Sequence, residues 1–182
     1  MQRRTVGRER PIYPYGLSPE SSHPVFVSLA PHAFYEESNE LAPFGNDSGH
    51  DALTTLQTWY LEGGQDEDVA ALLGRWCSAP PGLWTAESDV ARAWAETAPT
   101  DTDHLVTDAA QTAVGVALGQ LKIRGHVTAE VRRAGWQAVT LHRVLLERAA
   151  RDYPEREHAA AAARSVDAIA RVLGLAPAAP TR

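Results

Sequence analysis

The sequence has little cysteine, no long apolar run and almost no strand signal. Its single cysteine, Cys77, excludes an internal disulfide framework and a zinc site built from cysteines. One cysteine fits a reducing compartment, so we expect a cytoplasmic protein. No stretch approaches the roughly 18 apolar residues of a membrane span, and the N-terminal arginines are not followed by the apolar run of a signal peptide. We therefore expect no membrane partner.

Basic residues are scarce in the middle of the chain. Residues 36–108 contain fifteen acidic residues and two arginines, Arg75 and Arg92, for a net charge of −13. Residues 1–35 carry +2 and residues 109–182 carry +5, which gives −6 overall. Two interpretations are open. Either the two halves dock and partly neutralise each other, or an uncompensated acidic face meets a basic partner.

The length and composition predict one domain. A chain of 182 residues with 44% hydrophobic content can bury one sizeable core. Because strand signals are almost absent, the predicted fold class is all-α, a single-domain helical bundle. We predict a flexible arm over residues 1–20, the α-helical domain over residues 21–174 and a flexible tail over residues 175–182.

The stretch over residues 41–60 holds the clearest helix signal. Asn46, Asp47 and Ser48 all favour the N-cap position, and apolar residues then recur at three- and four-residue spacing. If Ser48 is the cap, Asp51 falls three residues later and can complete an Asp variant of the capping box. The first residues of this stretch are therefore predicted to form the loop that leads into the central helix, and the rest to form the helix itself.

Further helices are predicted from apolar period and from start and stop residues. A connection of a few residues at Gly125 joins two long helices, which predicts an antiparallel helical hairpin in the C-terminal half. Gly115 and Gly119 weaken the first of these helices and indicate a close helix neighbour. The predicted ranges are a brief helix before Pro31, then 66–76, 88–96, 105–124, 128–152 and 154–174.

The adjacent His50 and Asp51 are the first candidates for chemistry. In HD phosphohydrolases such a pair joins an upstream histidine and a later aspartate around a divalent metal that activates water. The structural alternative is that Asp51 only serves the start of the helix. The residues considered as further ligands are His23, His32, Asp101, Asp103 and Asp108.

Asp47 and Asp51 lie one turn apart and form a second candidate site. With Glu40 or Asn46 as further oxygen ligands they can bind Mg²⁺ or Ca²⁺. The alternative is a helix cap beside an acid that compensates the helix dipole. We therefore expect no metal or other cofactor, and a divalent metal belongs to the alternative function. Nucleic acid is not an expected partner, because few aromatic residues are interleaved with the arginines of residues 132–156 and the chain is acidic.

Part of the sequence resembles the YfeS-like bacterial proteins. The resemblance rests on His23-Pro24, on Phe34-Tyr35 and above all on the run Pro-Phe-Gly-Asn-Asp-Ser-Gly-His-Asp at residues 43–51. It is strongest over residues 22–62, and residues 121–125 are similar to a later part of the family. It implies a small bacterial cytoplasmic protein of uncharacterised activity, and it supplies no catalytic residues. Some of these relatives contain a WGR domain, but this chain has no Trp-Gly-Arg.

The leading functional hypothesis is a non-enzymatic interaction protein, similar to an immunity or adaptor protein, whose acidic half binds a basic protein. The alternative is a metal-dependent hydrolase with His50 and Asp51 as catalytic candidates and Asp47 and Asp51 as metal ligands. The predicted binding residues are Phe44, Asn46, Asp47, His50 and Asp51.

Overall fold

The structure, a computed structural model, describes residues 16–77, 88–97, 99, 103–152 and 158–180. These ranges fold into seven α-helices and two short 3₁₀ turns, His32–Tyr35 and Asp66–Asp68, and they contain no strand, so the predicted all-α fold class is confirmed. The helices are α1 (Pro24–Leu29), α2 (Asp47–Leu61), α3 (Val69–Trp76), α4 (Ser88–Thr97), α5 (Asp103–Arg124), α6 (Ala129–Asp152) and α7 (Ala159–Leu175).

The centre of the fold is α5, not α2 as the sequence suggested. Every residue from Ala113 to Ile123 is buried, whereas α2 is buried along one stripe only. A helix that is buried all round lies in the core, with neighbours on several sides. Helices α2 and α6 make the most extensive contacts with α5, while α7 and α4 pack on α6. The alanines and glycines of α5 permit this, because their small side chains let helices approach from both sides.

Helix α2 crosses α5 at a small-residue contact. A Cβ atom placed on Gly115 would lie 3.0 Å from the Cβ of Ala52 and from the Cα of Gly49. A Cβ on Gly119 would lie 3.2 Å from a methyl group of Leu56. The close helix neighbour that the two glycines of α5 indicated is therefore α2.

The connection between α5 and α6 occupies residues 125–128. Gly125 ends α5 with a φ of +75°, a left-handed conformation that favours glycine. Contacts join the start of α5 to the end of α6, with Arg148 3.2 Å from Asp103. Near the connection, Thr128 N donates to Gln120 Oε1 at 2.9 Å. These contacts link both ends of α5 to α6 or to the connection before it.

The two ends of the described chain dock on the α5–α6 connection. His23 N donates to the carbonyl oxygen of Lys122 at 2.7 Å. Val127 N donates to the Pro177 carbonyl at 3.0 Å, and Ala179 N donates back to the Val127 carbonyl at 3.3 Å. Residues 177–179, which the sequence assigned to a flexible tail, are thus bonded to this connection, while most of the predicted arm, residues 1–15, lies outside the described residues.

None of the described helices combines the length and the apolar composition that a bilayer crossing requires.

Candidate functional site

Asn46 fixes the loop that precedes α2. Its Oδ1 accepts a hydrogen bond from Gly49 N at 2.8 Å, and its Nδ2 donates to the Ala42 carbonyl at 3.0 Å. Asn46 is therefore the N-cap of α2. The capping box expected between Ser48 and Asp51 is not formed, because the helix already begins at Asp47 and Ser48 lies within its first turn.

Phe44 is another of the predicted binding residues in this loop, and it belongs to the core. Only 1% of its surface is exposed, and its ring lies 6.2 Å from that of Phe26. This aromatic side chain thus anchors the loop to the core. A partner that meets the surface does not reach this ring.

The other three predicted binding residues, Asp47, His50 and Asp51, are exposed on α2. At about 100° per residue, Asp47 and Asp51 lie about 40° apart around the axis of α2, and Glu62 is the C-cap residue at the far end of the helix. We call these three carboxylates the acidic α2 face. All three are exposed, and none forms an ion pair with the described residues.

A cavity of about 350 Å³ lies beside this face, and Asp51 and Asp108 both line it. Cys77 lines the same cavity, with its Sγ 3.6 Å from the carbonyl oxygen of Ala109. Burial raises the pKa of the Cys77 thiol to about 12. The thiol is therefore protonated at neutral pH and is a poor nucleophile or metal ligand.

The proposed ligands of a hydrolase metal centre lie apart. His23 is the N-cap of α1, where its Nδ1 accepts a hydrogen bond from Val25 N at 3.1 Å. His32 is exposed beside Glu36 and Asp103 pairs with Arg148, while Asp101 lies outside the described residues. Within the described ranges no group of three or more His, Cys, Asp or Glu side chains is placed to bind a metal ion. Among the candidate ligands in the described ranges, Asp51 and Asp108 line the same 350 Å³ cavity.

A buried polar network that sequence reasoning missed surrounds Asp66. Tyr60 donates its hydroxyl hydrogen to Asp66 Oδ1 at 2.8 Å, and His126 Nε2 lies 2.9 Å from Asp66 Oδ2. Arg124 lies 3.3 Å from the same carboxylate and 5.1 Å from the centre of the Tyr60 ring. Gln120 extends the network, because its Nε2 donates to the Tyr60 hydroxyl oxygen at 3.1 Å.

The network holds Asp66 ionised. Burial alone would raise the pKa of Asp66, but hydrogen bonds from His126 and Tyr60 and the charge of Arg124 lower it to about 2. Sequence spacing did not reveal this, since Asp66 stands in the run Asp66-Glu67-Asp68, which reads as the acidic start of a helix. Tyr60 lies six residues before Asp66 on α2, whereas Arg124 and His126 lie about 60 residues away on α5 and the following connection.

Lys122 is a second buried charged residue that the sequence did not single out. It has no exposed surface, and its Nζ donates to the Ser21 carbonyl at 2.7 Å and lies 3.4 Å from Ser21 Oγ. Burial lowers the pKa of Lys122 to about 8. Ser21 is itself buried, and neither residue lines the 350 Å³ cavity or a larger one of about 600 Å³, so we assign the pair a structural role in docking residues 18–22 on α5.

The larger cavity, of about 600 Å³, lies between the loop of residues 38–46 and one face each of α5, α6 and α7. Thr107, Gln111 and Val114 line it from α5, at helical spacing. From α6 it is lined by His142, Leu145, Leu146 and Ala149, and from α7 mainly by Ala159, Ala162, Val166 and Ile169. Among the predicted binding residues Asn46 lies at its wall.

The acidic residues of the first half are mostly not neutralised by the second. Asp66 pairs with Arg124, and Asp103 pairs with Arg148. Beyond the acidic α2 face, Asp68 and Asp108 are also exposed without an ion pair to any residue in the described ranges. Of the two interpretations of the charge asymmetry, the geometry favours an acidic surface that faces solvent.

No family model, no curated protein and no solved structure matches this chain at a significant level, so the resemblance to the YfeS-like proteins stays a prediction.

Proposed function

We propose that this protein is a non-enzymatic interaction module that binds a basic protein through its acidic α2 face, in the manner of an immunity or adaptor protein. The observation that carries the proposal is that Asp47 and Asp51 on one side of α2 and Glu62 at its end are exposed and lack ion pairs within the described residues. Charges of one sign on a rigid helix steer a partner of opposite charge and set its orientation.

The rigidity of the face supports this role. Asn46 caps the helix, Phe44 anchors the preceding loop in the core, and Gly49 and Gly115 bring α2 close to α5. Side chains on such a helix hold their spacing before the partner arrives. Less conformational entropy is then lost on binding.

The test is a charge reversal with a matched control. Asp47→Lys with Asp51→Lys reverses the face, and Asp89→Lys with Glu130→Lys changes the net charge by the same amount at exposed first-turn positions of α4 and α6. A basic protein captured by the natural sequence is purified, and its dissociation constant is measured with each variant by calorimetry at low and moderate salt.

We expect reversal of the α2 face to weaken binding at least about tenfold, because two attractive charges become repulsive. The control is expected to stay within about twofold, and added salt should weaken the natural complex. An equal loss in both variants, or an affinity that salt does not change, would reject the acidic α2 face as the binding surface.

The alternative, a hydrolase that uses a divalent metal, is supported by one observation, which is that Asp51 and Asp108 line the same cavity. Two carboxylates are too few for a structural cage but suffice for Mg²⁺ that keeps several waters. Titration of the protein with Mn²⁺, followed by water relaxation, tests this. Saturable binding that Asp108→Asn abolishes would favour the alternative, and the absence of binding would exclude it.

A further inference from the structure

The 600 Å³ cavity has the size and the composition of a small-molecule site. Pockets that bury small ligands span about 300–1,000 Å³ and are mostly apolar, with a few polar groups. Here leucine, isoleucine, valine and alanine side chains from α5, α6 and α7 form most of the wall. The loop of residues 38–46 covers one side, and Ser165 of α7 ties it in place by donating a hydrogen bond to the Leu41 carbonyl.

The charges around the cavity restrict its ligand. No lysine or arginine occurs among the described lining residues, and the one carboxylate, Glu40, is exposed to solvent. The lining imidazoles are His142, which burial keeps neutral, and His158, which is exposed, so a phosphate or carboxylate group buried inside would meet no cation among the described lining residues, and an unpaired buried charge is strongly disfavoured. An uncharged ligand meets no such penalty.

Two polar side chains on facing helices lack hydrogen-bond partners. Nε2 of His142 on α6 is buried and has no hydrogen bond of good geometry, although the Thr107 carbonyl lies near the ring. On α5, the half-buried Gln111 amide makes no hydrogen bond with the described residues. Buried polar groups normally have partners, so the buried His142 nitrogen indicates a bound molecule that supplies one, and the half-buried Gln111 amide, which water also reaches, lies on the facing helix to bond the same molecule.

The two side chains also indicate which group the ligand carries. An amide both donates and accepts, and a neutral imidazole nitrogen accepts or donates according to its tautomer. A hydroxyl group can serve both at once, because it donates one hydrogen bond and accepts others. A methyl group or a bare ring leaves both side chains without partners.

We propose that this cavity binds a small, uncharged phenol or ring alcohol, with its ring among the apolar side chains and its hydroxyl group directed to Gln111 and His142. The site is separate from the acidic α2 face, and its occupation does not depend on the proposed protein interaction.

The first experiment measures binding of N-phenyl-1-naphthylamine, an uncharged fluorescent probe with a single N–H donor. Ala162→Phe places a ring in the cavity, whereas Ala163→Phe places the same ring on the exposed side of α7. We expect saturable binding to the natural protein, a loss of affinity of at least about tenfold in Ala162→Phe, and a change within about twofold in Ala163→Phe. Failure of the natural protein to bind, or equal affinity in the two variants, would overturn the proposal.

The second experiment tests the hydroxyl group by displacing the probe with p-cresol or p-xylene, which differ only in a hydroxyl and a methyl group. Without hydrogen bonds, the more apolar p-xylene should bind about tenfold more tightly. We expect p-cresol to displace the probe at an equal or lower concentration in the natural protein, and this advantage to vanish in Gln111→Leu. A natural protein that prefers p-xylene would show that the polar pair does not select the ligand.

His142→Phe extends the test to the other side of the cavity. It keeps a ring of similar size and removes the nitrogen atoms, so we expect the preference for p-cresol to fall as in Gln111→Leu. If His142→Phe does not fold, Gln111→Leu still decides the question, because Gln111 is only half-buried. An unchanged preference in both variants would contradict the assigned roles.

Discussion

Asp66 shows how strongly one residue can depend on its partners. It is hydrogen-bonded by Tyr60 and His126 and lies 3.3 Å from Arg124, whereas Asp68, two residues later, is exposed. Removal of the Asp66 charge leaves those buried donors and the arginine without their acceptor. Leaving a buried polar or charged group without its partner lowers the free energy of unfolding by far more than losing a surface contact does.

We therefore expect Asp66→Asn to lower the free energy of unfolding by about 2–4 kcal/mol. Asp68→Asn is the matched control and should change it by less than about 0.5 kcal/mol. Urea denaturation at pH 7 measures both. Similar effects in the two variants would mean that the network does not hold the 66–68 turn in place.

His142 is expected to make the protein sensitive to acid. Burial lowers the pKa of its imidazole from 6.5 to about 4, and the nearby Thr107 carbonyl only partly opposes this. The unfolded chain therefore takes up the proton first, and the free energy of unfolding falls as the pH drops from 6.5 towards 4. The full contribution is up to about 3 kcal/mol.

The measurement compares the pH dependence of stability in the natural protein and in His142→Phe. The difference between the two curves isolates His142 from the other titrating groups. We expect the variant to lose less stability than the natural protein between pH 6.5 and pH 4. Parallel curves would show that the buried imidazole takes up its proton as readily as an exposed one.

At the scale of the elements, the close approach of the preceding loop to α2 explains Gly49, one of the two glycines of the 43–51 run. A Cβ atom on Gly49 would lie 1.9 Å from the Pro43 carbonyl oxygen, a backbone atom that cannot move away without shifting the loop. Gly74 of α3 is also helical but has no neighbour within 4 Å of such an atom. The two positions look alike in sequence and differ only in their surroundings.

Gly49→Ala is expected to lower the free energy of unfolding by at least about 2 kcal/mol, because the loop and α2 must separate. Gly74→Ala should raise it by about 0.5–1 kcal/mol, since alanine restricts the unfolded chain without a clash. Thermal and urea denaturation of both variants provide the comparison. A neutral Gly49→Ala would show that the loop adapts freely.

Local sequence signals predicted these elements better than their arrangement. The period of apolar residues and the stop at Gly125 located the helices, and Gly115 correctly indicated a close neighbour. The sequence did not reveal that α5, rather than α2, is central, because burial on all sides is decided by helices distant in sequence. The choice of Asn46 over Ser48 as cap was likewise undetermined, since both side chains suit that position.

The candidate sites were less predictable than the fold. Asp47 and Asp51 were singled out from their spacing, but the contacts of Asp66 with Arg124 and His126 and the placement of Gln111 and His142 in one cavity join residues about 30 to 60 positions apart. Such contacts leave no periodic trace in the sequence. A cavity in particular is defined by what several helices fail to fill.

At the scale of the whole molecule, the charge distribution predicts how salt affects stability. The ion pairs in which an acidic residue of the −13 segment meets an arginine of the second half, Asp66 with Arg124 and Asp103 with Arg148 in the described ranges, each include a partly or largely buried arginine and are screened little. The exposed pair Arg143 with Asp167 contributes little in any case. Repulsion within the −13 segment is exposed to solvent, and salt screens it.

We therefore expect the melting temperature to rise by about 1–4 °C between low and moderate NaCl, because reduced repulsion outweighs weakened surface pairs. The rise should be smaller in Asp47→Asn with Asp51→Asn, which removes two of the repelling charges and introduces none. Differential scanning calorimetry in a series of salt concentrations measures both proteins. A melting temperature that falls with salt would instead mean that attraction between the acidic and basic halves stabilises the fold, and that the acidic residues are less available to a partner.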